Sequence, residues 1–460
     1  MYQDLSFMNI PLPEDVQKLK IYGDYAGAQK MIRYFLEEKD IPQALRKRLE
    51  IEQEVIGVMG GNEYPFTYDE AFKIMTSHLR DFNKEELDHL KEIGAADWIY
   101  IDGEVHFQRR FYENLIKTRP DFAERVIVEN QEDKKENNLK QNLLNDNIHY
   151  MKEYGGRTVH TRIRSTIKAK KEFEEVGRKV RVHLPIPKVY EQVSHVEIHA
   201  SNPEITYIAP EDAPQRTVYF ETELKENQEF MVDYSFDYHV DYVELDPAKV
   251  SKEQPDFYLE EQAPHIVFTP YLRALRDELA GDETNPIILA RRFYDFVTTK
   301  VMYSFMREYF TIECIPEYCA INLKGDCGVQ ALLFITLCRM SGIPARWQSG
   351  LYATKYYTGC HDWAQFYVAP YGWVFADLSF GGSAWRAGEK ERWNYYFGNL
   401  DIFRMPANSE IQKEFMPEKK WLRIDPIDNQ RGEFEYEDHG LCFSQLDVSQ
   451  ELISMEDIEK

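Results

Sequence analysis

Three things are scarce in this chain of 460 residues. Positive charge is the first: 55 Lys and Arg stand against 79 Asp and Glu, a net charge of −24. Phosphate binding needs a basic footprint that this balance does not supply overall, so nucleic acid is not expected as a partner, and anionic membrane surfaces are disfavoured on the same ground. Cysteine is the second. Six thiols, at 314, 319, 327, 338, 360 and 442, are too few and too irregularly spaced to frame a disulfide-stapled fold of this length. Cys314 and Cys319 would make half of a zinc site, but no second Cys or His pair follows at zinc spacing, so no metal and no cofactor is expected. Long apolar runs are the third. Met1 to Leu12 has neither a Lys or Arg nor an apolar stretch of signal-peptide length, and Ala331 to Cys338 is far too short to span a bilayer. Together these features predict a soluble protein of a reducing compartment, the cytoplasm.

Apolar residues are ample, and the length calls for two to four structural units. From Leu19 to about Arg125 the pattern reads as helical, with Ala28, Ile32, Phe35 and Leu36 at helical spacing and Phe72 to Leu79 in the same style. Pro42 and Gly60-Gly61 break it into short helices, either a packed domain with solvated charged faces or a partner-binding surface. Glu129 to Asn147 is rich in Glu, Lys, Asn and Gln, which predicts a charged linker or a solvent-bridging helix. Beyond it the period falls to two. Val180, Val182, Leu184 and Ile186 alternate with other residues, and Phe230, Val232, Tyr234, Phe236, Tyr238, Val240 and Tyr242 do so without a miss. With Val196 to Ile198 and Thr217 to Phe220 between them, this predicts an antiparallel sandwich of about a hundred residues.

A helix is then predicted from Asn285 as N-cap and Pro286 at the first helical position, and a second from Asp326 and Cys327 to the stop at Gly342 and Pro344. The second is apolar on most sides and therefore central. Its first residue is a thiol in the positive end of the helix dipole, which favours thiolate; Asp326 opposes it. His361 opens the strand-like run to Val368, and Asp377 lies in Trp373 to Phe380, with Pro370-Tyr371-Gly372 as the natural loop between. That loop would leave Asp377 opposite Gln365, about 13 Å along the strand from His361, so contact requires a turn centred nearer Ala369 or a bulge. A Cys at a helix start, a His and an Asp in this order suit nucleophilic acyl transfer. The same residues also fit a core thiol with ordinary polar neighbours, or a metal site, although Cys360-His361-Asp362 alone is a poor chelate because successive strand residues point to opposite faces.

Gly325-Asp326-Cys327-Gly328, Gly342-Ile343-Pro344-Ala345-Arg346, His361-Asp362-Trp363 and Gly372-Trp373-Val374-Phe375-Ala376-Asp377 together resemble the core of the transglutaminase-like superfamily over residues 285 to 385. The resemblance implies an α+β, papain-like catalytic core with Cys327 as nucleophile, His361 as general base and then acid, and Asp377 as the residue that orients it. It also implies that the preceding sandwich is immunoglobulin-like. Leu378-Ser379 departs from the Pro that commonly follows the Asp. For the oxyanion hole, the Cys327 backbone N–H is expected as one donor and Tyr303 as a candidate second.

The expected organisation is thus a helical domain over 1–128, a charged linker or bridging helix over 129–155, the sandwich over 156–248, the core over 262–400 and an extension over 401–460. The expected activity is cysteine-dependent acyl transfer on an amide carbonyl of a peptide or protein substrate, hydrolysis being favoured because water is the default acceptor. A protein-glutamine transglutaminase is the alternative, for which Trp347, Trp363, Trp373 and Trp385 would wall an amine channel. A non-catalytic, protein-binding scaffold is the other.

Overall fold

The chain is described by a computed structural model covering residues 5–127, 131–421 and 423–458, so residues 129 and 130 of the expected linker lie outside the described part. The N-terminal region is built of short helices because its breakers and caps are close together. Pro42 sits at the N-cap of Gln43–Val58, and Gly60 and Gly61 fall in the π-helical turn Met59–Glu63 that ends it. Thr67 and Asn83 form capping boxes with Glu70 and Glu86, starting Tyr68–His78 and Lys84–Glu92. One part of this region departs from the helical expectation. Trp98–Ile101 and Glu104–Phe107 form a hairpin in a small three-stranded sheet, because Asp102 and Gly103 both adopt positive φ (49° and 92°), the conformation a tight two-residue hairpin turn demands.

Helix Gln131–Tyr154 crosses the polar segment. Its C-terminal half is docked, with Leu144, Ile148 and Met151 buried in the main core. Strand β1 (Gly156–Ala169) follows at once, then β2 (Lys179–Pro185), β3 (Val193–Asn202), β4 (Tyr207–Ile208), β5 (Thr217–Glu223) and β6 (Phe230–Asp241). The period-two pattern works as read: Phe230, Val232, Tyr234, Phe236 and Tyr238 are all at 0% exposure, as are Val180, Val182, Leu184 and Ile186.

The core begins with α1 (Pro270–Ala280) and α2 (Pro286–Lys300), the latter capped by Asn285 Oδ1, which accepts the Ile287 N–H at 3.0 Å. Helix α3 (Cys327–Met340) is central, every residue from Val329 to Cys338 being no more than 1% exposed. It packs on a five-stranded antiparallel sheet made of β7 (Ala345–Thr354), β8 (Tyr357–Val368), β9 (Gly372–Ala376), then, after α4 (Leu378–Arg386), β10 (Phe397–Gly398) and β11 (Arg404–Asn408), in the order β10-β9-β8-β7-β11.

The C-terminal segment then returns to the sandwich. Its strands β12 (Glu433–Tyr436) and β13 (Leu446–Asp457) pair with β2 and β1, giving sheets β12-β2-β5-β4 and β13-β1-β6-β3. The two sheets therefore extend beyond 156–248, and each takes an edge strand from the extension. A single buried cluster runs from Ile167 and Phe236 of the sandwich to Leu332 and Phe366 of the core. The fold is α+β, with helices at the N-terminus, an antiparallel sandwich after them, and a helix-on-sheet core.

Candidate active site

Cys327 is the first residue of α3, and its helix start is held from two sides. Asp326 Oδ1 accepts the Val329 N–H at 3.3 Å as N-cap and also the Tyr309 hydroxyl at 2.5 Å. Cys327 is 9% exposed. Its Sγ donates to Asp362 Oδ2 at 3.2 Å, the same oxygen that lies 3.5 Å from the Tyr309 hydroxyl, while Asp362 Oδ1 accepts from Gln430 Nε2 at 2.6 Å.

His361 and Asp377 are joined, by a turn centred one residue nearer Ala369 than the Pro370-Tyr371-Gly372 loop would place it. β8 and β9 pair Val368 with Gly372 and Ala364 with Ala376, so the loop is Ala369 to Tyr371, one residue earlier than Pro370-Tyr371-Gly372. Gly372, at φ 80°, is the first paired residue instead of the last loop residue. This register puts Asp377 nominally opposite Trp363, two residues from His361, a diagonal offset that side chains can bridge. Asp377 also leaves the strand to become the N-cap of α4, accepting the Phe380 N–H at 2.9 Å. The outcome is a 2.7 Å hydrogen bond between His361 Nε2 and Asp377 Oδ2, with both side chains buried.

Behind that pair stands Arg404, which sequence reasoning did not single out. Its Nη1 forms an ion pair with Asp377 Oδ2 at 2.9 Å, and its Nε and Nη2 bind Asp401 at 3.0 and 2.5 Å. Arg404 sits at the start of β11, far from the triad in sequence, and only the pairing of β11 with β7 brings it there. Asp362 was missed for a different reason. It follows His361 directly and, as strand geometry requires, points to the other face, where Cys327 lies.

Two cavities meet at the site. One, of about 170 Å³, is lined by Cys327, Asp326, Asp362 and Tyr309 among others; the second, of about 670 Å³, is lined by His361. They share Tyr303, Tyr357 and Cys360 as a common wall. Tyr303 is carried next to the nucleophile candidate by a short parallel pairing with Gly325. Among the described residues, the hydrogen bond of Cys327 runs to Asp362, and none joins it to His361. Trp347, Trp363, Trp373 and Trp385 line neither cavity, which removes the aromatic channel expected of them. Trp363 instead packs beside the His361 ring at 5.9 Å and donates to Gln348, and Trp373 stacks on the Arg346 guanidinium.

Burial dominates the electrostatics. The thiolate expectation for Cys327 is reversed: burial and the carboxyls of Asp362 and Asp326 push its pKa well up, outweighing the helix dipole. Burial and the neighbouring Asp326 also raise Asp362 to about 7, and Asp326 itself, mainly through burial, to about 6. Burial lowers His361 against the pull of Asp377, favouring neutral imidazole. For Asp377 burial works upward, but His361 and Arg404 outweigh it and hold the carboxyl at about 2. The site at rest thus pairs a protonated thiol with a neutral imidazole fixed by an ionised carboxylate.

No curated protein matches the chain. Among solved structures it is similar to the "Putative Cysteine Protease" from Cytophaga hutchinsonii, at 14% identity and a TM-score of 0.41, covering 66% of this chain and 92% of that one. The periplasmic domain of TgpA from Pseudomonas aeruginosa is similar at 13% identity and a TM-score of 0.29, covering 54% of this chain and 96% of that one. The family model of the transglutaminase-like superfamily matches residues 273–378, the stretch that runs from α1 through Cys327 and His361 to just past Asp377. Over that stretch the chain carries a transglutaminase-like superfamily core.

Proposed function

We propose that this chain is a cysteine-dependent enzyme that hydrolyses an amide bond of a peptide or protein through a thioester. The observation that carries the reading is the buried, ready-made His361–Asp377 pair, backed by Arg404, on a cavity that shares its wall with the cavity of a helix-initiating cysteine. Asp377 fixes one face of the imidazole as N–H donor, which leaves the other ring nitrogen free of a proton and able to act as base.

In the proposed reaction His361 takes the Cys327 proton as Sγ attacks the carbonyl carbon, so that no standing thiolate is needed. The carbonyl oxygen becomes an oxyanion, for which the Cys327 backbone N–H and the Tyr303 hydroxyl are the proposed donors. Collapse breaks the C–N bond, and the imidazolium returns its proton to the leaving amine. Water, deprotonated by the same imidazole, then attacks the thioester, releasing a carboxylic acid and restoring the thiol. Cys327 and His361 must approach each other for the first step, and apo catalytic hydrogen bonds are commonly long before substrate closes the site.

Hydrolysis is preferred to amine transfer because the four tryptophans that would have walled an amine channel line neither cavity of the site. Six unpaired cysteines agree with a reducing, cytoplasmic setting, and no described helix is long and apolar enough to cross a membrane. One observation favours the scaffold alternative, namely that the Cys327 thiol is engaged by Asp362 and not by His361. Incubation with a glutamine peptide and with a mixed peptide library, each with and without excess labelled primary amine, tests the reading. Free acid as the main product supports it. Dominant amine incorporation that disappears in Cys327→Ala identifies a transglutaminase, and the absence of any Cys327-dependent product leaves the scaffold.

A further inference from the structure

The chain carries 24 more acidic than basic residues, yet among the described residues the cavity onto which His361 opens is lined by four cationic side chains, Lys117, Lys140, Arg386 and Arg392, and by no Asp or Glu. That inversion is local. The adjoining cavity beside Cys327 is lined by Glu308, Asp326, Asp362 and Asp425 along with its arginines. Among the described residues, no hydrogen bond or ion pair joins Lys117, Arg386 or Arg392 to a carboxylate, although Glu113 acts on Lys117 at longer range. Lys117 Nζ lies 3.9 Å over the Tyr303 ring and 4.6 Å over Phe305; Arg386 Nη1 reaches only the Val301 carbonyl at 3.4 Å; Arg392, 3% exposed, donates to the Asn145 side chain at 3.0 Å. A guanidinium at that depth with a neutral amide as its hydrogen-bond partner is costly to keep unless something anionic meets it.

We propose that the substrate is an anionic peptide, whose carboxylate is received by Lys117, Arg386 and Arg392 in the His361 cavity while its amide carbonyl lies between His361 and Cys327. The cavity, about 670 Å³, is within the usual range for binding sites of small ligands and peptide segments. Tyr303, Tyr352, Tyr357 and Phe380 supply apolar walls beside the charges, so the hydrocarbon part of an acidic residue is accommodated as well as its head. Lys117 lies over the ring of Tyr303, which lines both this cavity and the one beside Cys327, so a carboxylate held by this lysine lies on the wall the two cavities share. The carboxylate belongs either to an Asp or Glu side chain or to a peptide C-terminus; the recognition chemistry is the same.

The substrate assignment rests on the amide-hydrolase reading, but its test needs no turnover. Binding is measured by isothermal titration calorimetry on the full-length Cys327→Ala protein, with four peptides of one length: an internal Glu with an amidated end, a neutral sequence with a free carboxylate, a neutral amidated sequence and a Lys-containing amidated sequence. The Glu peptide, the free-carboxylate peptide or both should bind about tenfold tighter than the neutral amidated one, the effect of one charge-assisted pair. Salt should erode the preference, and Lys117→Glu and Arg386→Glu, both at exposed positions, should each reduce or abolish it. Which of the two acidic peptides is favoured identifies the source of the carboxylate. Equal affinity for all four, preference for the Lys peptide, a preference indifferent to both charge reversals, or no measurable binding at all overturns the proposal. None of these results bears on whether Cys327 performs acyl transfer.

Discussion

Cys327 Sγ and Asp362 Oδ2 are 3.2 Å apart, a thiol donating to a buried carboxyl from the residue directly after the candidate base. The contact makes Asp362 the strongest local influence on the thiol after burial, and it acts against ionisation. Removing the charge while keeping the shape should therefore release the thiol. Asp362→Asn is expected to raise the rate of iodoacetamide modification at Cys327 about tenfold near pH 8, because the neutral amide no longer opposes the thiolate. Peptide mapping by mass spectrometry reads the rate at each cysteine. An unchanged rate at Cys327 would mean that burial alone controls it.

Arg404 is fully buried and satisfies two carboxylates, Asp377 and Asp401. Arg404→Met leaves both charges without their partner in an apolar setting, which should cost about 3–5 kcal/mol in urea unfolding. Asp401→Asn should cost less, since Asp377 keeps its cation. A loss below about 1 kcal/mol for Arg404→Met would show that the network is not the support of the His361–Asp377 pair described above.

Gly350 lies opposite His361 in the β7–β8 ladder, at a register shift between β7 and β11. A Cβ there would overlap the Met405 carbonyl oxygen, so Gly350→Ala must push β11 away from β7. The expected cost is about 1–3 kcal/mol, as for overpacking in general. Because β11 begins with Arg404, activity should fall further than the stability loss explains. An active, stable Gly350→Ala protein would contradict the close approach.

The buried acids set a pH dependence whose sign is unusual. Burial holds Asp362 and Glu308 at about 7 and Asp428 at about 8 in the folded chain; unfolded, such groups ionise near about 4. Between those values the folded state binds more protons. The stabilisation is complete below about pH 4 and is lost as pH rises through 7 to 8. Asp377, held at about 2, works oppositely and withdraws its contribution only as pH falls from about 4 to 2. Urea midpoints should accordingly be higher at pH 5.5 than at pH 8.5, and Asp428→Asn should flatten the difference. A midpoint that rises toward pH 8.5 would be the opposite result.

Patterns that repeat locally were legible in the sequence. The alternation in Phe230 to Val240 became a strand with one fully buried face, and Asp326 and Asn285 cap helices where their positions suggested. Pairings between distant segments leave no such local mark. β13 joins β1 across almost three hundred residues, and neither strand announces itself: in β1 the buried positions include Thr161 and Ser165 among Val159, Ile163 and Ile167, so small polar residues dilute the period. Arg404 is hidden in the same way. The hairpin between His361 and Asp377 was legible to within one residue of loop position, and that residue decides the contact, because moving the loop by one shifts the pairing by two and carries Asp377 from opposite Gln365 to opposite Trp363. The charge state of Cys327 was misjudged because the helix dipole is visible from sequence, whereas the depth of burial and the approach of Asp362 are not.

The central claim is that Cys327 forms a covalent acyl intermediate with the help of His361. It is tested most directly by intact-protein and peptide-level mass spectrometry after exposure to an electrophilic peptide probe, comparing the native protein with Cys327→Ala and His361→Ala. The account predicts a single adduct at Cys327 in the native protein, none in Cys327→Ala and a much slower one in His361→Ala. Absence of an adduct at Cys327, or one that forms at the same rate without His361, would contradict it.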